Sequence, residues 1–168
     1  MKDESLGVDI GNVIIDHRSI VDANDQIWRQ ENYSKIPPAD NVFSCLKKIS
    51  DEKFNENIFL FSKVKEGNEK RTLDWLLIND FYNKTGIKPK NIMFCRERNE
   101  KEEICTNNNI KYFIDDRLEV LSHMIGKIPH LYLFQPDLDK VNEFKQFLPD
   151  VTVVQNWEEV TKLILNDK

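Results

Sequence analysis

Apolar residues fall into six short runs, separated by longer polar stretches in which hydrophobic positions recur at helical spacing. The first run, Leu6-Gly7-Val8-Asp9-Ile10, reads as a strand with an acid near its carboxyl end, followed by a tight turn at Gly11-Asn12 and a second apolar piece, Val13-Ile14-Ile15. Residues 57–62, 91–95, 111–116, 130–134 and 151–154 give five more short strands. Between them the period changes. Asp40 is placed to cap a helix with Val42, Phe43, Leu46 and Ile49 on one face. Over 71–83, Leu73, Leu77 and Phe81 form a stripe that predicts one helix packed on the core, with Gly86 as its stop. A short helix around 102–106 ends in Asn107-Asn108-Asn109, another spans 117–125 with Gly126 as C-cap, and a third spans 137–148 with Val141, Phe144 and Leu148 inward. Asn156-Trp157-Glu158-Glu159 opens the last helix with the spacing of a capping box.

Strands alternating with helices predict an α/β fold: a Rossmann-like, doubly wound, mostly parallel sheet in three layers. The chain shows no internal repeat, low-complexity tract or interdomain linker, so 1–168 reads as a single domain. Residues 19–40 interrupt the rhythm. They are polar, weakly periodic and end near Pro37-Pro38, which reads as a small flap or lid with one helical turn near 23–29.

Composition narrows the class. Hydrophobic residues at 40% and charged residues at 32% suit a soluble globular domain and argue against disorder. A net charge of -5 and a pI near 5.3 give no overall basic field, so nucleic acid is not favoured as a partner. No apolar run suits a membrane span. The amino-terminal residues lack a signal-peptide pattern, and Cys45, Cys95 and Cys105 have no metal-ligand spacing, so we expect reduced, buried thiols in a cytoplasmic protein.

The chemistry gathers at strand ends. Asp9, Ser62 and the pair Asp115-Asp116 each close an apolar strand, and parallel strands would bring all of them to one edge of the sheet, where ligands bind in open α/β folds. Paired acids beside a third carboxylate make a hard oxygen site suited to Mg²⁺. Ser62 can donate to a phosphate oxygen, and Lys101, one helix before Asp115, can return to the same edge as a fixed positive charge. Together these groups suit phosphoryl transfer to a carboxylate. Plainer readings compete with each: Asp115-Asp116 as a helix N-cap pair, Lys101 as solvated charge with Lys63, Arg98 and Lys111 as substitutes, and His17, His123 and His130 as structural or surface residues.

Asp9-Ile10-Gly11-Asn12-Val13, Ser62, Lys101 and Phe113-Ile114-Asp115-Asp116, in that order, resemble the four motifs of the haloacid dehalogenase superfamily of phosphohydrolases, over about residues 6–134. The resemblance implies that Asp9 is the nucleophile and binds Mg²⁺, that the Gly11 carbonyl is a second metal ligand, that Ser62 and Lys101 hold the phosphate, and that Asp115 and Asp116 hold the metal. Asn12, Lys63 and Arg96 stand beside these motifs as substrate-binding candidates. It further implies a Mg²⁺-dependent phosphatase working through an aspartyl-phosphate. One position departs from the pattern. Most phosphatases of the superfamily carry a second aspartate two places after the nucleophile, as general acid and base; here that place is Gly11. A slow phosphatase, one drawing its proton from Asp16, His17 or water, and a catalytically impaired domain that only binds phosphate or a partner all remain open, with a nucleotide or nucleic-acid-end phosphatase as a weaker alternative. Only 53 positions separate Asp9 from Ser62 and 39 separate Ser62 from Lys101, too few for a full cap domain. An open site of this kind would admit a small or macromolecular phosphorylated substrate, and a homo-oligomer could cover it.

Overall fold

A computed structural model describes residues 3–19, 32–65, 67–97 and 100–167. The predicted helical turn near 23–29, the middle of the 19–40 segment and Arg98 lie outside the described residues. Six strands form one sheet: β1 (Ser5–Asp9), β2 (Ile58–Lys63), β3 (Ile92–Cys95), β4 (Ile110–Asp115), β5 (His130–Phe134) and β6 (Thr152–Val154). Their spatial order is β3-β2-β1-β4-β5-β6, and every pairing is parallel. This is the doubly wound arrangement expected from the sequence. The order reverses between β1 and β4. Because parallel crossovers are right-handed, the helices of the two halves pack on opposite faces.

One face is covered by α1 (Val42–Ile49), α2 (Glu69–Ile78), α3 (Phe81–Thr85) and α7 (Trp157–Asn166), packed with Leu6, Val8, Leu60 and Ile114. The other is covered by α4 (Glu100–Asn107), α5 (Leu118–Ser122) and α6 (Leu138–Val141), packed with Phe61, Phe113 and Leu133. The period of two along a strand sorts the side chains. Val8 and Ile10 go to the first face, so Gly7 and Asp9 go to the second, as do Phe113 and Asp115 on the neighbouring strand.

Gly7 is required by that sorting. It lies opposite Phe113 in register, and the Phe61 and Phe113 rings meet at 5.1 Å between centroids. A Cβ on Gly7 would clash with the Phe113 ring and stand 3.2 Å from Phe61. The glycine is a slot for two aromatic rings directly beneath the acids.

After β1 the chain turns sharply. Asn12 takes a left-handed conformation with φ 61°, and the amides of Ile14 and Ile15 both donate to the Ile10 carbonyl. Residues 37–39 return to this turn, with Ala39 N donating to Ile14 O at 2.8 Å and Asp16 N to Pro37 O at 2.9 Å. Two buried tryptophans fix both pieces: the Trp157 indole donates to Val13 O and the Trp75 indole to Ile36 O, each at 2.8 Å.

Three helix expectations are corrected. The stripe over 71–83 is not one helix. The chain breaks at Asn79-Asp80, where Asp80 adopts φ 55° and the Asn79 amide bonds the Trp75 carbonyl at 2.9 Å. The break turns Trp75, Leu76 and Phe81 inward and leaves Leu77 64% and Ile78 65% exposed. Asp40 does not cap α1; Asn41, left-handed at φ 58°, occupies that place without a side-chain cap bond. The helix expected over 137–148 is α6 followed by a 3-10 stretch over Asn142–Asp150, which holds Pro149. The box before α7 forms, with the Asn156 side chain accepting from Glu159 N at 2.8 Å. All three cysteines are buried and free, and burial pushes the Cys95 thiol up to about 11. No helix among the described residues is long and apolar enough to cross a membrane.

The aromatic slot yields a stability test. Gly7→Ala should cost about 1–3 kcal/mol through overpacking, lowering the thermal midpoint by roughly 2–10 °C for a chain of this size. A midpoint unchanged in thermal denaturation would show that the Phe61–Phe113 pair is free to move aside.

Candidate active site

The carboxyl edge of β1 and β4 is the point where the sheet order reverses, and a cavity of about 930 Å³ opens there. Asp9 ends β1 and Asp115 ends β4, both aimed at the face that α4 covers. Lys101 is the second residue of α4, so the helix delivers its ammonium between them. The Nζ donates to Asp9 Oδ1 and, at 3.0 Å, to Asp115 Oδ2. All three groups are shut away from solvent: Asp9 is 8% exposed, Lys101 2% and Asp115 0%. Asp115 Oδ1 also accepts from the Arg117 amide at 2.9 Å, but Arg117 is itself the N-cap of α5 and no side chain caps that helix, so the two acids do not form the N-cap pair that the sequence allowed. Asp116 joins from the next position and accepts from the Asn12 side chain at 3.1 Å.

The electrostatics follow from this packing. Burial, reinforced by the Asp115 carboxylate, pushes the Asp9 carboxyl well above the carboxylate range despite Lys101. Burial and Asp115 push Asp116 up to about 6, against the pull of the Asn12 hydrogen bond. Burial opposes the Lys101 charge, but Asp115 and Asp9 outweigh it and hold the ammonium firmly protonated. One lysine facing three acids leaves the cluster short of positive charge. Asp9, Asp115 and Asp116 offer oxygen atoms that all lie within 4.8 Å of one another. An all-oxygen donor set with surplus negative charge fits a hard divalent cation such as Mg²⁺.

The other expected site residues sort by what they touch. Ser62, at the end of β2, lines the cavity and is buried. Gly11 and Asn12 line it from the turn after β1, and exposed Lys63 stands at its rim. Arg96 also lines it, but its guanidinium is engaged with Glu69 and with the Val64 carbonyl at 3.2 Å, tying α2 and the ends of β2 and β3 together. Lys65, Arg71 and Arg117 extend the basic rim, while Glu97 is its one acid outside the cluster. Lys111, a substitute considered for Lys101, lies within β4 and does not line this cavity.

One residue in the site, His17, carried two readings from the sequence, a structural or surface role and an alternative source of the proton. His17 sits in a 3-10 turn, His17–Ser19, and lines the cavity beside Tyr33, their rings edge to face at 5.9 Å. Arg71 lies over the Tyr33 ring at 5.0 Å. Burial, with the Arg71 guanidinium second, lowers His17 to about 4, so the imidazole is neutral at pH 7. Tyr33 is itself buried and forms part of the cavity wall.

No family model matches the chain, and no curated protein does. Solved structures do. A haloacid dehalogenase-like hydrolase from Burkholderia xenovorans superposes with a TM-score of 0.68 at 9% identity, covering 96% of this chain and 99% of the other. The D,D-heptose 1,7-bisphosphate phosphatase from Burkholderia thailandensis superposes with a TM-score of 0.61, also at 9% identity, covering 98% of this chain and 99% of the other. The strand order, the acids at the ends of β1 and β4 and these superpositions over nearly the whole chain identify the fold as that of the haloacid dehalogenase-like hydrolases.

Proposed function

We propose that this chain is a Mg²⁺-dependent phosphohydrolase that works through an aspartyl-phosphate on Asp9. The buried Asp9–Lys101–Asp115 cluster at the sheet's switch point carries the reading. Burying two carboxylates beside one ammonium costs more than an apolar core of the same volume, so a fold that keeps them there has a use for them. Asp9, Asp115, Asp116 and the Gly11 carbonyl would hold the metal, which when bound neutralises phosphate charge. Asp9 Oδ1 is held by Lys101, which leaves Oδ2 to attack phosphorus in line. Lys101 stands beside the attacking carboxylate and offsets the charge of the phosphoryl oxygens, and the Ser62 hydroxyl can donate to one of them. A phosphatase among the fold neighbours agrees with this assignment.

The rim speaks to the substrate. Lys63, Lys65, Arg71 and Arg117 surround the opening of a chain whose overall charge is -5, so positive potential is concentrated where a phosphorylated ligand would enter. Of the readings left open by Gly11, an active enzyme is favoured over a phosphate-binding relic because the nucleophile, lysine and acids are all present and in contact.

Hydrolysis of p-nitrophenyl phosphate tests the reading directly, since nitrophenolate leaves without needing a proton. Turnover should require Mg²⁺, stop in EDTA, and fall roughly a thousandfold or more in Asp9→Asn, with circular dichroism unchanged. Retained activity in that folded variant would sink the mechanism.

A second test needs no substrate. Asp116 is raised in the folded state from 3.8 to about 6, so its protonated form is the one the fold prefers. The stability linked to it is present below pH 4 and is lost as pH rises through 6. In EDTA, Asp116→Asn should therefore match wild type near pH 4 and become progressively more stable than it up to pH 6, by as much as about 3 kcal/mol, with no further gain above. Saturating Mg²⁺ should raise the wild-type thermal midpoint more than the variant's. Parallel pH curves for the two proteins would show that Asp116 does not share the buried charge.

A further inference from the structure

Gly11 stands where the superfamily pattern has an acid, and His17 faces the space that this leaves. A Cβ built on Gly11 would stand 4.0 Å from Asp9 Oδ2 and 4.0 Å from His17 Nε2, with nothing nearer among the described residues. The imidazole nitrogen is therefore within twice that distance of the oxygen proposed to attack, on the side of the carboxylate that Lys101 does not hold. In-line displacement needs such a group. One oxygen is bonded to phosphorus, the other approaches it at ~3–3.5 Å from the opposite side, and the proton partner sits ~2.6–3.2 Å beyond, which sums to roughly 7–8 Å from the nucleophile.

We propose that His17 is a catalytic residue of this site, the general base for the water that hydrolyses the phosphoryl group on Asp9; the assignment rests on the phosphohydrolase reading above. The water oxygen bonds to phosphorus while its proton passes to His17 Nε2. The bond between phosphorus and Asp9 Oδ2 breaks, and its electron pair returns to the carboxylate. Inorganic phosphate leaves, and the imidazolium gives its proton to solvent.

The surroundings suit this role. Burial together with Arg71 keeps the imidazole in its neutral, proton-accepting form, at the expense of its basicity, so the position of Nε2 is what carries the assignment. The loop that carries it is held firmly: His17 N donates to Ile15 O at 3.0 Å, Ile14 and Ile15 are fully buried, and the adjacent Arg18 guanidinium bonds the Asn12 carbonyl and, at 2.8 Å, the Gln135 carbonyl. Asp16, the other candidate from the sequence, does not line the cavity. Its Oδ1 accepts from the Arg18 amide at 3.2 Å and is spent on the turn.

The test compares wild type, D9N, H17Q, G11D and H17Q/G11D on p-nitrophenyl phosphate with Mg²⁺, by pre-steady-state nitrophenolate release and by intact mass after acid quench. Loss of the base should lower kcat in H17Q by ~10²–10⁴-fold while a burst of about one nitrophenolate per protein persists and phosphoprotein accumulates. D9N should show neither. The added carboxyl of H17Q/G11D, entering the same space, should recover kcat at least tenfold over H17Q. Wild-type turnover that is lost in D9N but stays within about threefold in H17Q would overturn the role of His17 and leave the phosphohydrolase reading standing. A fall in H17Q with no burst, no phosphoprotein and no recovery in the double variant would also overturn it, as a merely structural role. Absence of wild-type turnover would overturn both.

Discussion

The ammonium of Lys101, held between Asp9 and Asp115 and away from water, is the constraint on which the site depends. A buried carboxylate without a partner costs several kcal/mol, and two of them end adjacent strands here. Neither strand could close its carboxyl end this way unless a cation arrived from outside the sheet. α4 brings it, and α4 can do so only because the chain crosses from β3 to β4 over the face to which Asp9 and Asp115 point. That face is set by the strand period and by the aromatic pair beneath, which in turn requires Gly7. The sheet order, one glycine and one helix start are thus parts of a single electrostatic solution.

The solution is incomplete by two charges, three carboxylates to one ammonium, and the incompleteness has a use. Asp116 adds a third carboxylate, answered by the neutral amide of Asn12 and, more weakly, by the Arg117 and Arg18 charges. The protein alone relieves the strain by holding Asp9 and Asp116 toward their protonated forms. A divalent cation would relieve it by restoring their charge. On the proposed mechanism such a cation would also favour the ionised form of Asp9, the form that would attack.

Much of this was legible in the residues. Each strand ran where alternation and apolar runs placed it, and acids at the ends of two of them marked the edge that matters. Lys101 was harder to read because a charged run, 96–101, offers several cations, and only the start of α4 singles one out. The helix over 71–83 misled because Leu73, Leu77 and Phe81 keep helical spacing across a break. The signal of that break was Asn79-Asp80, two residues that accept left-handed or turn geometry. His17 carried no signal of its own. It has no partner at a fixed spacing, and its place depends on how the turn after β1 folds back beneath residues 33–39. The one clue was its position in the same loop as the missing acid. Arg96 lies beside the cavity in sequence and in space, and its guanidinium is shared with Glu69 and the Val64 carbonyl.

Charge balance explains why an imidazole suits this cluster better than the absent carboxylate. A carboxyl at position 11 would stand 4.0 Å or less from the Asp9 oxygen, inside a group that already holds three acids to one lysine. The burial and repulsion that raise Asp116 would raise it too, leaving it protonated for more of the time and so more suited to donate a proton than to accept one. His17 reaches the same space from across the cavity with no negative charge. The Arg71 guanidinium, which would repel an imidazolium, keeps the ring in the form that accepts a proton. An acid at position 11 favours departure of a poor leaving group; a neutral imidazole favours attack by water. On the proposed mechanism the first half-reaction would rely on the leaving group's own acidity, and the second on His17. The natural ester should then be one whose alcohol, phenol or acid leaves readily as an anion, drawn in by the basic rim formed by Lys63, Lys65, Arg71 and Arg117.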